Sequence, residues 1–194
     1  VINGMTHHSY TYDQLAAAIK KAAFGLFKRG LKKGDVFAIY SPNLPEYIIA
    51  FHAISLVGGT ITTINPLYTP EEIHHQLRDS GAIFILTISQ FLEHAQAAVL
   101  DTGVKEIFTF DGAKDSTPFA DLLREDGELP EIHINPAEAL LALPYSSGTT
   151  GFPKGVMLTH RNIIANIVQC EGISNYKLVH VEDRVIGMLP FFHI

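Results

Sequence analysis

The chain of 194 residues holds one cysteine, Cys170, and no tryptophan. A single thiol closes no disulfide within the chain, which fits a reducing compartment. Cys170 lies in an apolar run and reads as a buried structural thiol, not a nucleophile. No apolar run approaches the ~18–20 residues that a membrane-spanning helix needs, so no transmembrane segment is expected. The opening residues Val1-Ile2-Asn3-Gly4 show no basic region followed by an apolar stretch, so no signal peptide is read there. No basic stripe is interleaved with aromatics, which argues against nucleic acid as a partner. Charge is sparse at 18%, against 47% hydrophobic residues, a balance that favours a well-buried globular protein over a disordered one. The length suffices for one good core or two small ones.

The net charge of −6 is unevenly spread. Six of the fourteen basic residues lie between Lys20 and Lys33, and eight of the twenty acidic ones between Asp111 and Glu138. The basic cluster reads as a solvated helix face and turn, the acidic stretch as a solvated surface connection. His7-His8 and His74-His75 are adjacent pairs. On a helix such neighbours point to different faces, whereas two histidines sharing one ion are spaced i, i+4. No metal ligand is therefore assigned.

Strand and helix signals alternate along the chain. Ser9-Tyr10 closes a short strand. Thr11 with Gln14 makes a capping box, and Leu15, Ile19, Ala22 and Leu26 repeat at helical spacing up to Gly30. Residues 36–40 read as a buried strand, 46–57 as a helix apolar on nearly every side, and 60–64 as a β-branched strand. Thr69-Pro70-Glu71-Glu72 is a strong helix start, with Ile73 and Leu77 as the buried stripe and Ser80-Gly81 as the stop. Strands follow at 82–87 and 106–110 around a helix at 91–99. A short helix is expected over 119–124, then a capped turn at Asn135-Pro136-Ala137-Glu138 and a buried strand over 139–145. Extended chain at 156–158 precedes a helix over 160–172, capped by Thr159, with Ile163, Ile164, Ile167 and Val168 on its buried side. A last strand over 185–189 delivers His193 at its end. Such alternation implies parallel pairing through helical crossovers, an α/β fold of parallel sheets flanked by helices.

One stretch carries the chemistry: Ser146-Ser147-Gly148-Thr149-Thr150-Gly151-Phe152-Pro153-Lys154-Gly155-Val156. Four hydroxyls, three glycines and one lysine fall within ten residues. Glycine lets the backbone turn successive N–H groups toward one point, which makes an anion site. Hydroxyls and an ammonium add donors and positive charge. A polyphosphate is the natural ligand, and the plain alternative is a Gly-Ser-Thr surface loop between strands. The Walker pattern is not met, because Lys154 follows Pro153 and precedes Gly155. The assignments from the loop are Ser146, Ser147, Gly148, Thr149, Thr150, Gly151 and Lys154 as phosphate donors, with Phe152 and Pro153 stiffening the turn.

Taken whole, this stretch resembles the signature of the adenylate-forming (AMP-binding) enzymes, among them the acyl-CoA and aryl-CoA synthetases. Gly59-Thr60-Ile61-Thr62-Thr63-Ile64-Asn65-Pro66-Leu67-Tyr68-Thr69-Pro70-Glu71-Glu72 resembles the upstream stretch of 4-coumarate–CoA ligases. Leu189-Pro190-Phe191-Phe192-His193-Ile194 resembles the next family motif. The three stretches stand in the family's order.

The resemblance implies an ATP-dependent acid–CoA ligase for an aryl or fatty carboxylate, with ATP and CoA as co-substrates and Mg²⁺ as cofactor. It places Lys154 on the triphosphate and His193 beside the acyl carboxylate and the adenylate phosphate, with Phe191 and Phe192 walling the acyl pocket. It implies that residues 1–194 are part of a large N-terminal AMP-binding domain, whose other motifs and small C-terminal domain lie outside this sequence, so that the piece alone is inactive. The cytoplasm is the expected compartment, with the peroxisome as alternative. Three other readings stay open: a luciferase-like adenylating oxidase, a non-catalytic nucleotide- or phosphate-binding module, and a structural α/β domain.

Overall fold

The computed structural model describes residues 1–146, 153–173 and 183–193. Helix α1 (Tyr12–Lys28) begins at Thr11, whose hydroxyl accepts from the Gln14 N–H at 3.2 Å while the Gln14 side chain accepts from the Thr11 N–H at 2.9 Å. The reciprocal pair satisfies two donors that a helix start leaves without partners. The chain then runs through β1 (Val36–Tyr40), α2 (Pro45–Leu56), β2 (Thr60–Ile64), α3 (Pro70–Ser80), β3 (Ala82–Thr87), α4 (Leu92–Ala98) and β4 (Glu106–Thr109). Thr69 and Glu72 repeat the capping box at α3, and Gly81 closes that helix in the left-handed region at φ 66°, where a Cβ is disfavoured. Two short elements follow, β5 (Thr117–Pro118) and α5 (Phe119–Leu122). The last elements are β6 (Leu140–Ala142), β7 (Tyr145–Ser146), β8 (Lys154–Gly155), β9 (Leu158–Thr159) and α6 (His160–Ile173).

Seven strands form one sheet in the order β5-β4-β3-β1-β2-β6-β9, parallel throughout except that β9 runs antiparallel to β6. Because successive side chains of a strand alternate, β1 feeds two cores. Phe37 and Ile39 join the layer under α1 and α2, with Phe84, Leu86 and Phe108 beside them. Ala38 and Tyr40 join the layer under α3 and α4, with Ile73, Leu77, Ala95 and Ala98. Gly25 of α1 lies where a Cβ would come within 2.7 Å of the Leu122 carbonyl oxygen, so a glycine is required for α1 to reach α5. β2 is buried at every position although three of its five residues are threonines. Their hydroxyls are occupied: Thr60 donates to Leu140 O at 3.2 Å, Thr62 to Leu143 O at 2.8 Å, and Gln76 of α3 donates to Thr62 Oγ1 at 2.8 Å. Buried polar groups of this kind cost little once they are bonded.

The acidic connection is not a free surface. It folds back on the basic face of α1 and the turn after it, with Lys21–Asp126 at 2.9 Å, Lys28–Glu125 at 2.6 Å, and Lys33 Nζ donating to His133 O at 2.6 Å. These exposed pairs contribute little stability each, but they correct the expectation that both clusters are merely solvated.

Three other expectations change. Residues 139–145 do not form one strand: β6 ends at Ala142, and Tyr145 starts a separate two-stranded ladder. Residues 185–189 are not a strand, and Val185, Ile186, Met188 and Leu189 are exposed. The turn of residues 190–192 sets up His193 instead, its N–H donating to Pro190 O at 3.1 Å. Helix α6 forms as expected, but Ile164, Ile167 and Val168 are more than half exposed and Cys170 is exposed too. Nothing among the described residues covers that face.

Candidate active site

In an open parallel sheet, ligands collect at the carboxyl ends of the strands, where neighbouring strands send their connections to opposite faces. Here β1 connects through α2 on one face and its neighbour β3 through α4 on the other. Of the three stretches singled out in the sequence, residues 59–72 contain β2 and leave the sheet at that edge, and the other two come to it.

The first is the glycine-rich stretch. β7 and β8 pair antiparallel, with Tyr145 opposite Gly155 and Ser146 opposite Lys154. Both follow β6, which runs parallel to β2, so this ladder stands beyond the carboxyl end of the central strands. Ser146 and Lys154 are exposed and sit across from one another. Among the described residues Lys154 makes no ion pair. Ser147, Gly148, Thr149, Thr150 and Gly151, expected to hold phosphate, lie outside the described residues, as do Phe152 and Ile194.

The base of the ladder is tied to the sheet's helical layer. The Tyr145 hydroxyl donates to Asp79 of α3. Burial, then the hydrogen bond to Asp79 and its charge, push the Tyr145 hydroxyl well above its ordinary value, so it stays protonated and remains a donor. The Tyr145 ring covers Gly155 so closely that a Cβ there would come within 3.2 Å of it.

The second stretch is the one that ends in His193. Asn43, in the loop between β1 and α2, holds it by three bonds. Its Nδ2 donates to Gly187 O at 3.2 Å and to Leu189 O at 2.8 Å, and its Oδ1 accepts from the Phe191 N–H at 2.8 Å. Thr63, near the end of β2, donates to Phe192 O at 2.7 Å. Phe191 packs edge-on against Tyr47 of α2, and together with Ile48, Phe51 and His52 these two line a cavity of about 230 Å³. The Tyr47 hydroxyl is buried without a partner among the described residues, and burial raises its pKa. His193 is exposed, its ring stacked on that of Phe192 at 6.2 Å between centroids.

His74 of α3 serves the fold. His74 Nδ1 lies 3.0 Å from Ala98 O, joining α3 to α4. Among the described residues no three His, Cys, Asp or Glu side chains converge, so no residue is assigned to magnesium. No helix is long and apolar enough to cross a membrane among the described residues.

Sequence reasoning missed Asn43, Thr63, Asp79 and Tyr145. Asn43 and Thr63 had one available signal: a polar residue at or just past the carboxyl end of a buried strand stands at the ligand edge of such a sheet. Asp79 had none, since nothing in the sequence links it to a residue sixty-six positions away.

A doubly wound sheet whose carboxyl edge carries the short ladder flanking the glycine-rich stretch defines an α/β class. The chain matches the AMP-binding enzyme family over residues 1–194 and belongs to it. It is 38% identical over 196 aligned positions to 4-coumarate–CoA ligase 1 of Petroselinum crispum, covering 100% of this chain and 36% of that protein. Among solved structures it resembles a long-chain-fatty-acid–CoA ligase from Archaeoglobus fulgidus, with a TM-score of 0.83 at 30% identity, covering 99% of this chain and 39% of that one. It also resembles o-succinylbenzoate–CoA synthetase from Bacillus subtilis in complex with its acyl-adenylate intermediate, with a TM-score of 0.76 at 31% identity over 97% of this chain and 45% of that one. The chain thus spans little more than a third of the length of the curated relative.

Proposed function

We propose that the protein to which residues 1–194 contribute part of an N-terminal AMP-binding domain is an ATP-dependent acid–CoA ligase acting on an aryl or fatty carboxylate. The observation that carries this is that the Ser146/Lys154 ladder and the Phe191-Phe192-His193 turn stand at the same carboxyl edge of the sheet. The family and the relatives' names support the class of reaction.

In the first half-reaction a carboxylate oxygen attacks the α-phosphorus of ATP, the bond to the β-phosphate oxygen breaks, and pyrophosphate leaves with the electron pair. Charge moves onto the leaving group. A positive, donor-rich hairpin answers that need by stabilising negative charge where it develops. Lys154 supplies the ammonium there, with Ser146, Ser147, Gly148, Thr149, Thr150 and Gly151 as the cradle. Exposed and free of ion pairs among the described residues, Lys154 is available to an incoming anion. His193 orients the carboxylate and shares the charge of the adenylate phosphate. Magnesium, if bound with the triphosphate, would neutralise part of its charge. In the second half-reaction the thiol of CoA attacks the acyl carbonyl and AMP departs, giving the thioester.

The test is ATP–pyrophosphate exchange on the intact protein with cinnamic, coumaric, medium-chain and long-chain fatty acids. Exchange dependent on one of these acids is expected, and Lys154→Ala should slow it about 10²-fold without loss of fold, since no buried residue is removed. Equal exchange in variant and parent overturns the role of Lys154. Light emission with luciferin marks a luciferase-like oxidase instead, and nucleotide binding without exchange marks a non-catalytic module.

A further inference from the structure

We propose that Asn43 is a positioning residue for His193. Its side-chain amide fixes the main chain that carries the histidine, with Thr63 as its second support. The inference rests on the ligase reading for its catalytic consequence, but the anchoring itself is a property of the fold.

Three hydrogen bonds from one amide all go to one segment, to Gly187, Leu189 and Phe191, some 144–148 residues further along the chain. Two partners are carbonyls and need donors; the third is an N–H and needs an acceptor. A primary amide supplies both without ionising, and that fixes which end of the Asn43 side chain faces which partner. Asn43 follows β1 and Thr63 belongs to neighbouring β2, so the segment is gripped from two adjacent parallel strands of the rigid sheet. Phe191 is further seated on Tyr47 of α2. Among the described residues, 185–189 are in no ladder and their apolar side chains are exposed, and these bonds and the Phe191 contact hold the segment against the first 142 residues. His193 lies two residues past the last Asn43 contact, within the same turn, with its own N–H bonded to Pro190 O. A small displacement of this segment therefore moves the imidazole relative to the acyl carboxylate, and misplacement of about 1 Å can cost up to about 10²-fold in rate.

Asn43→Asp tests this at constant volume. It keeps the acceptor for the Phe191 N–H but turns an anionic oxygen toward two carbonyls. Thr63→Val removes the other bond and serves if Asn43→Asp fails to fold. Each is made in the intact protein, in the parent and the His193→Ala backgrounds. The readouts are acid-dependent ATP–pyrophosphate exchange and backbone hydrogen exchange of the peptide spanning residues 187–193. The expected result for Asn43→Asp is an exchange rate lowered about tenfold or more, with faster deuterium uptake in that peptide. In the His193→Ala background the same change should cost less than about twofold, because a residue acting through the histidine loses its effect with it. Equal losses in both backgrounds overturn the proposal, as does unaltered deuterium uptake. If the parent supports no pyrophosphate exchange with any acid, the ligase reading fails. Deuterium uptake, which needs no substrate, then decides the anchoring alone.

Discussion

The helices of the first 142 residues and helix α6 both carry apolar side chains at helical spacing, yet they meet different surroundings. In the first region Phe37, Ile39, Ile54, Ile61 and Leu86 are sealed between α1, α2 and the sheet, and Tyr40, Ile73 and Leu77 close the opposite face. In the second, Ile164, Ile167 and Val168 of α6 stand open at 54%, 53% and 59% exposure. Helical periodicity specifies a stripe; it does not supply the surface that covers it. The curated relative has nearly three times this chain's length, since the match covers 36% of it. The second region therefore has the character of a surface, and the first that of a finished core.

The widest gap between the regions should appear in large-to-small substitutions. Phe37 is 1% exposed and its ring lies 5.7 Å from that of Phe84 and 5.9 Å from that of Phe108. Phe37→Ala should cost about 3–5 kcal/mol in denaturant unfolding, whereas Leu189→Ala should change stability by about 0.5 kcal/mol or less. Similar losses from the two would erase the distinction.

Helix caps sharpen the same contrast at smaller scale. Thr69 and Thr159 make similar reciprocal bonds, the first with Glu72 and the second with Asn162. Thr69→Ala should lower global stability by about 1 kcal/mol, because α3 is packed into the core. Thr159→Ala should fray α6, visible as lost far-ultraviolet helicity, with little change in the unfolding midpoint, because a weakly packed helix opens locally.

Alkaline titration reports on the first region and on the foot of the hairpin. Burial and the nearby Glu46 carboxylate push Tyr10 up to about 12 from 10.0, and Tyr47 and Tyr145 are raised as well. A folded-state pKa above the unfolded one means that the folded state holds the proton more tightly. The associated stability is full below pH 10 and is lost as pH rises from about 10 to about 12 for Tyr10. Urea midpoints measured at pH 8, 10 and 11.5 should fall across that window. Tyr10→Phe should flatten the fall, and an unchanged slope would mean that the burial of Tyr10 and its Glu46 contact do not persist in solution.

Local signals made much of the fold legible in the sequence. Thr11/Gln14 and Thr69/Glu72 marked two helix starts, and the β-branched run 60–64 marked a strand whose observed bounds agree. Parallel pairing followed from the alternation of elements, and the ladders bear it out. The failures arose where a residue's partner lies far along the chain. The acidic connection was read without Lys21, Lys28 and Lys33, which face it. Residues 185–189 have strand-like composition but no neighbouring strand to pair with among the described residues. The candidate stretches were marked by motifs; the contacts of Asn43, Thr63, Asp79 and Tyr145 were not, because hydrogen bonds between residues so far apart in the chain leave no periodic trace.

The α6 face offers the smallest effect and the cleanest separation of the two regions. Ile167→Ser deletes apolar surface that is already 53% in contact with solvent. In the 194-residue chain the change should shift stability by about 0.5 kcal/mol or less, and it should improve solubility by breaking an apolar patch. In the intact protein the same substitution should cost about 1–3 kcal/mol if further chain seals this face, the range for losing a buried aliphatic side chain's transfer energy. A loss of that size already in the 194-residue chain would show instead that the face is covered within it. The contrast between the two regions would then vanish, because α6 would belong to the core that β6 and β9 begin.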